Sequence, residues 1–325
     1  AANLDCYTRD GVPNVYTVYA ADRSGNPVPA GTALTFWAEG GQVVTSRQTV
    51  LDSTGIASAT SSFVCQEPVP EDGRVTITAY AIGEESFIDL NGDNVYTQGE
   101  PFQDLGDVVK DTLFDNSYDS ANDEFVSLNA GSSSACLTSF ATAYPKLALT
   151  TNTANRPGTC DGVWSQRAYV RKSTETVMST SEAGLLWAST SGLGSASCHP
   201  RALRTTPAPT DPTTTFYEIG TGDLWYTSGA GKGSINFIVA DANPVRFNPM
   251  AAGTVLTATN PTDKLSVSIL GSPVVSTTEP TSAAISFEFD GVTSGEFTLN
   301  AASPSGLTTS YRIGINTGTR TNTCP

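Results

Sequence analysis

Residues 84–125 hold twelve carboxylates and one base, Lys110, which is eleven of the chain's fifteen net negative charges. Charge this dense repels itself. Such a run either stays unfolded or closes around hard cations, and its spacing argues for closure. A twelve-residue calcium loop supplies oxygens from positions 1, 3, 5, 7, 9 and 12, the last a bidentate Glu. Counted from Asp89, those positions hold Asp89, Asn91, Asp93, Val95 (through its carbonyl), Thr97 and Glu100. Position 6 needs a sharp turn, and Asn94 stands there, a residue type tolerant of left-handed backbone. Gly92 adds slack. Ile88, Val95, Tyr96 and Phe102 are spaced to bury themselves beneath the loop.

A degenerate second copy follows. Tyr96 precedes Gly99, Glu100 and Phe102; Tyr118 precedes Asp123, Glu124 and Phe125, with one extra residue in the spacing. Asp111, Asp115, Asp119 and Asp123 are its oxygen candidates, although Leu113 at its third position cannot ligate by side chain. Asp104 and Asp107 lie between the copies and could bridge to either. Aromatics interleaved with the acids weigh against a disordered tract, which is poor in them. Calcium is therefore the expected cofactor.

The rest of the chain alternates in strand fashion between turn signals. VYTVYAA, ALTFWA, IASATSSF and RVTITAYAI are separated by DRSGNPVPAGT, Gly40-Gly41 and Asp72-Gly73. No long stretch carries helical periodicity. Strands at this spacing predict a β-sandwich. After the acidic stretch and a Ser/Thr/Asn-rich excursion, GVWSQRAYVRKSTETVMST reads as a long strand or hairpin completing the first sandwich. Residues 193–214, with Pro200, Pro207, Pro209 and Pro212, read as a linker. Strands resume as TFYEI, GDLWYT, GSINFIVAD, GTVLTAT, KLSVSIL, AAISFEFD, GEFTLNAA and TSYRIGI. The segment 26–32, NPVPAGT, is echoed at 248–254, NPMAAGT, each time after a strand ending in Ala-Asp. The fold class expected is all-β: two Ig-like sandwiches, 1–192 with an insertion at 84–125, and 215–325.

The succession D-x-x-G-N-P-V-x-x-G-T at 22–32, T-F-x-x-x-G-G at 35–41, D-x-x-G-x-A at 52–57 and G-x-V-T-x-x-A at 73–79 resembles bacterial Ig-like domains of the intimin and invasin type. The match covers roughly residues 5–83. It implies a stalk or display module. The string FIDLNGDNVYTQGEPF also resembles calcium-binding repeats of large bacterial surface proteins.

A pI near 4.3 disfavours nucleic acid and anionic membrane as partners. No apolar run approaches a membrane span. Six cysteines, Cys6, Cys65, Cys136, Cys160, Cys198 and Cys324, include no CxxC pair, which leaves zinc unsupported. Their even count and wide spacing fit an oxidising, extracellular home at a bacterial surface. Pairing within a domain favours Cys6 with Cys65, and Cys160 with Cys198 is the weaker choice.

Chemistry is scarce. The single histidine, His199, lies in the linker, and no nucleophile elbow or phosphate loop occurs. Glu84 and Glu85 are adjacent on a strand and point to opposite faces, so they cannot form a glycosidase pair; one of them caps the calcium site more plausibly. Trp37 and Trp164 read as core, while Trp187 and Trp225 are candidates for an exposed contact. The reading is a non-enzymatic extracellular structural or adhesion protein, stiffened by calcium and disulfides, serving as a stalk or as the subunit of a filament. Its partners are other surface proteins or copies of itself. The alternative is a calcium-dependent carbohydrate- or protein-binding module, with a glycan as partner.

Overall fold

The structure, a computed structural model, describes residues 1–110, 121, 123–126, 128, 160–188, 216–227 and 231–317. Every regular element among the described residues is a β-strand. The chain divides into two units. Pro13–Pro70 with Val75–Glu175 forms one; Ala1–Val12, Glu71–Arg74 and Thr176–Pro325 form the other.

β1 (Asn3–Asp5) belongs to the unit of the second sandwich, as does β11 beyond Glu175; the first sandwich runs through β2 (Pro13–Tyr19), β3 (Ala33–Ala38), β4 (Gln42–Val43), β5 (Ser46–Gln48), β6 (Val50–Leu51), β7 (Ala57–Val64), β8 (Arg74–Gly83), β9 (Val108–Lys110), β10 (Glu124–Val126) and β11 (Ala168–Ser179). One sheet has the order β1-β11-β8-β3-β5 and the other β2-β7-β4, with β6 also on β7; β9 and β10 form a separate hairpin. Strand periodicity sets the buried faces. Leu34, Phe36 and Ala38 of β3 are buried, as are Ala57, Ala59, Ser61 and Phe63 of β7. Trp37 falls between those β3 positions, so it faces outward and is half-buried, with Lys110 Nζ 5.9 Å from its ring. It is not a core residue. Gly41 has φ 66°, and a Cβ there would stand 2.6 Å from the Phe63 ring, so only glycine fits.

The acidic insertion leaves after β8 and returns at β11, and these two strands are sheet neighbours. Among the described residues, one strand after the insertion, β11, joins this sandwich. The returning strand begins at Ala168, and 161–167 is irregular with bends.

The second sandwich contains β12 (Ala183–Ala188), β13 (Phe216–Glu218), β14 (Asp223–Thr227), β15 (Lys232–Asp241), β16 (Val255–Thr259), β17 (Leu265–Leu270), β18 (Thr281–Phe289), β19 (Ser294–Ala302) and β20 (Thr308–Thr317). Its sheets are β13-β12-β15-β18-β17 and β14-β20-β19-β16. One apolar cluster joins Leu185, Phe237 and Ile285 of the first of these to Trp225, Phe297 and Ile313 of the second. Each such side chain contributes roughly 1.5–3 kcal/mol on burial. Trp225 is fully buried here, which removes it as an exposed contact. The side chain of Trp187 lies outside the described residues.

The cut expected at residue 192 differs from this division. β12 pairs with β15, and Leu185 and Leu186 on opposite faces of that strand are both fully buried, which draws it into the second sandwich. The linker 193–214 and His199 lie outside the described residues. The N-terminal residues are held within the second unit: Asn3 Nδ2 donates to the carbonyls of Met250 (2.6 Å) and Val275 (3.1 Å), and Asp5 accepts from Ser181 Oγ and the Ser305 N–H.

The echoed segments adopt one turn. Asp22 N–H donates to the Asn26 carbonyl at 2.7 Å, and Asp241 N–H to the Asn248 carbonyl at 2.8 Å. Pro27 and Pro249 each form an isolated bridge, to Ala21 and Ala240. Thr32 Oγ1 donates to the Pro29 carbonyl as Thr254 Oγ1 does to that of Ala251, both at 2.7 Å. Cys6, Cys65 and Cys160 are each disulfide-bonded and fully buried. Cys136, Cys198 and Cys324 lie outside the described residues.

Candidate metal-binding loop

Two short segments clasp the ends of the 89–100 loop. Phe87 and Phe102 form an antiparallel bridge; Ile88 N–H donates to the Pro101 carbonyl and Gln103 N–H to that of Ser86, both at 2.8 Å. Within the clasp, carboxylates and amides organise the backbone. Asp89 accepts from the Gly92 N–H at 2.6 Å and the Asn94 N–H at 2.7 Å. Asn91 Oδ1 accepts from Asp93 N–H, and Asp93 Oδ1 from Val95 N–H. Such side-chain-to-backbone bonds two or three residues apart are what Asp and Asn offer in tight turns. They hold the Asp89 carboxyl below its usual range, the Asn94 N–H contributing most. Asn94 has φ 61° and Gly92 φ 79°, so the left-handed turn expected at the sixth position is present.

Glu100 is buried and ties the ends of the loop together: Oε1 accepts from Leu90 N–H and Oε2 from Thr97 N–H, both at 2.8 Å. The Asn91 amide nitrogen lies 3.1 Å from both Asp93 Oδ2 and Thr97 Oγ1. Side chains from positions 3, 5 and 9 thus converge, with an amide N–H between the two oxygens. The donor set is oxygen-rich and mixed. Among the described residues, no three side chains of His, Cys, Asp or Glu gather as a metal cluster on their own. Asn91, Thr97 and the Val95 carbonyl would have to complete any shell.

Aromatic rings form the floor. Tyr96 stacks on Trp164 at 4.6 Å and 14°, and Phe87 meets Trp164 edge-on at 5.7 Å. Phe102 packs edge-on against Tyr96. Trp164 is therefore a support of this loop. Val95, expected beneath it, is 61% exposed, and Ile88 is half-buried. Arg23, from the turn after β2, reaches the loop: Nη2 donates to the Asn94 carbonyl at 3.0 Å and the guanidinium lies 3.9 Å from the Phe87 ring centroid. Nothing in the sequence signals that latch, which depends on a long-range contact.

Glu84 is exposed and lies 3.9 Å from Arg23 Nε. Glu85 is 2% exposed and takes the N–H groups of Leu105 (2.7 Å) and Ser165 (2.9 Å), while its carbonyl takes the Trp164 indole N–H. Neither caps the loop; Glu85 instead ties the insertion to the returning chain. Burial, with Asp104 and Asp161 nearby, raises its carboxyl to about 7 despite the two N–H donors. Asp104 and Asp107 are buried beside it. Asp107 faces Arg171, whose guanidinium burial lowers to about 10.

The second copy is clasped in a parallel way. β9 pairs with β10, setting Val109 opposite Phe125 and Lys110 opposite Glu124. Lys110, the one base of the stretch, lies 3.7 Å from Glu124. Asp123 is buried, and Asp111, Asp115 and Asp119 lie outside the described residues.

No protein-family pattern and no curated protein matches the chain. Among solved structures, it is similar to the Yersinia pseudotuberculosis adhesin InvE, with 10% identity and a TM-score of 0.25, over 97% of this chain and 56% of that one. It is also similar to the secreted serine protease VesC of Vibrio cholerae, with 9% identity and a TM-score of 0.22, over 93% of this chain and 71% of that one. The chain thus spans little more than half the length of the adhesin.

Proposed function

We propose that this chain is a non-enzymatic structural or adhesion protein of a bacterial surface, built of Ig-like sandwiches and stiffened by calcium. The carrying observation is the 89–100 loop. Its turns are held by Asp89, Asn91 and Asp93, its ends by Glu100, and the Asn91 amide nitrogen donates to the oxygens of Asp93 and Thr97. Asp89, Asn91, Asp93, Thr97, Glu100 and the Val95 carbonyl would hold the ion. When bound, calcium would neutralise carboxylates that otherwise repel across a short loop.

The chain's own residues do the remainder. Trp164 and Tyr96 support the loop from below, and Arg23 holds it at Asn94. Extracellular modules bind calcium at about 0.1–1 mM, so the ion would act as a constitutive staple. The disulfide-bonded state of Cys6, Cys65 and Cys160 fits the same oxidising compartment. The glycan-binding alternative loses Trp225, which is fully buried.

A thermal melt and limited proteolysis with calcium and with chelator test this reading. Calcium at about 100 times its dissociation constant adds roughly 2.7 kcal/mol. The melt should shift upward and the cleavage sites in 84–110 should become protected. An unchanged melt and an unchanged digest would remove the staple.

A further inference from the structure

We propose that the 89–100 loop modifies itself: the Gly92 nitrogen attacks the side chain of Asn91 and turns its amide into an acid, with Asp89 as the base. Asn91 is the one asparagine of the chain that is followed by glycine. Asparagine is a thermolabile residue type. Its amide carbon and the next backbone nitrogen can close into a cyclic imide, and a side chain on the following residue crowds that closure. Gly92 has none. Its φ is 79°, and a Cβ built there would meet nothing within 4 Å, so the ring has room to form.

The groups around this dipeptide hold each reacting atom. Gly92 N–H, which must lose its proton to become a nucleophile, donates to Asp89 Oδ1 at 2.6 Å. That is within the reach required of a general base. Asn94 N–H donates to Asp89 Oδ2 at 2.7 Å and keeps that base in place. Asn91 Oδ1, where negative charge develops as the amide carbon is attacked, accepts from Asp93 N–H at 2.9 Å. A backbone donor at that distance serves as an oxyanion hole does. Asn91 Nδ2, the leaving nitrogen, lies 3.1 Å from both Asp93 Oδ2 and Thr97 Oγ1. Nucleophile, carbonyl oxygen and leaving group are each gripped by a neighbour in the same loop.

The conversion balances with water as the one co-reactant. The Gly92 nitrogen forms a bond to Asn91 Cγ as its proton passes to Asp89. The Cγ–Nδ2 bond breaks with its electron pair staying on nitrogen, and that nitrogen leaves as ammonia with the proton Asp89 took. Water then opens the cyclic imide, its hydroxyl going to a carbonyl carbon and its hydrogen to the Gly92 nitrogen. Residue 91 becomes aspartate or isoaspartate, according to which carbonyl is attacked.

The consequence for the ion rests on the calcium reading above; the conversion itself does not. An aspartate at position 91 puts carboxylates at the first, third and fifth positions and removes the N–H that stands between the Asp93 and Thr97 oxygens. An isoaspartate lengthens the backbone by one atom and undoes the turn. With calcium bound, Asp89 and Asn91 Oδ1 would be engaged as ligands and the amide spared. The loop would thus record time spent without the ion.

The test incubates the full chain in heavy-oxygen water, in chelator and in calcium, and follows each asparagine by tandem mass spectrometry. In chelator, Asn91 is expected to convert to aspartate and isoaspartate carrying heavy oxygen, ahead of every other asparagine. Asp89→Asn should slow that conversion about tenfold or more. The wild-type chain unfolded in urea, where no loop holds the dipeptide, should also convert more slowly, which keeps the base testable should Asp89→Asn disturb the loop. An Asn91 that stays intact in the folded chain, or that converts as fast in urea or in Asp89→Asn, would overturn the proposal. Calcium should slow the wild type. Equal conversion in calcium and chelator would support the self-modification while removing the calcium reading.

Discussion

Glu85 shows how much a single side chain here is fixed by its surroundings. Its carboxyl bridges Leu105 and Ser165 at 2% exposure, and burial lifts it from the ordinary 4.5 to about 7. Between those values the folded chain keeps a proton that the unfolded chain has released. Stability therefore falls as pH rises from about 4.5 to about 7 and levels off above. Melting of the wild type across that window should show this slope, and Glu85→Gln should flatten it. A Glu85→Gln variant with the same slope would assign the pH dependence elsewhere. Asn94 is a residue whose role was legible in advance: its position in the calcium-loop pattern asks for left-handed backbone, and φ is 61°. Trp37 was not, because an alternating strand reveals two faces without revealing which one is buried.

Among elements, the clasped loop and its aromatic floor belong together. Tyr96 was legible as a support because it recurs at the offset of the acidic repeat, but Trp164 was not. It lies far along the chain and reaches Tyr96 only after the insertion has closed. Trp164→Ala should remove the stack and the indole bond to the Glu85 carbonyl, at a cost of about 2 kcal/mol. It should also weaken calcium binding, read as a higher calcium concentration at half-maximal melting shift. Full calcium affinity in a destabilised Trp164→Ala would separate the floor from the ion. The strand β12 was misplaced at the sequence level for a related reason. A run such as Ala183–Leu186 is buried on both faces and carries no alternation, so its partner is fixed only by the sheet it joins.

For the whole molecule, the sequence echo at 26–32 and 248–254 proved to be the most informative long-range signal. The same hydrogen bonds recur in both turns, and they align two sandwiches whose sequences otherwise share little. Turn chemistry is local and survives divergence, whereas strand pairing across a sheet leaves no local trace. The central claim is that the 89–100 loop holds calcium and that the acidic insertion is thereby part of the folded scaffold. Equilibrium calcium titration by calorimetry, with wild type and Glu100→Gln side by side, tests it most directly. The wild type should bind with a dissociation constant at or below about 1 mM, and Glu100→Gln should lose that site. No binding heat at about ten times that concentration, or equal stoichiometry in the two proteins, would contradict it.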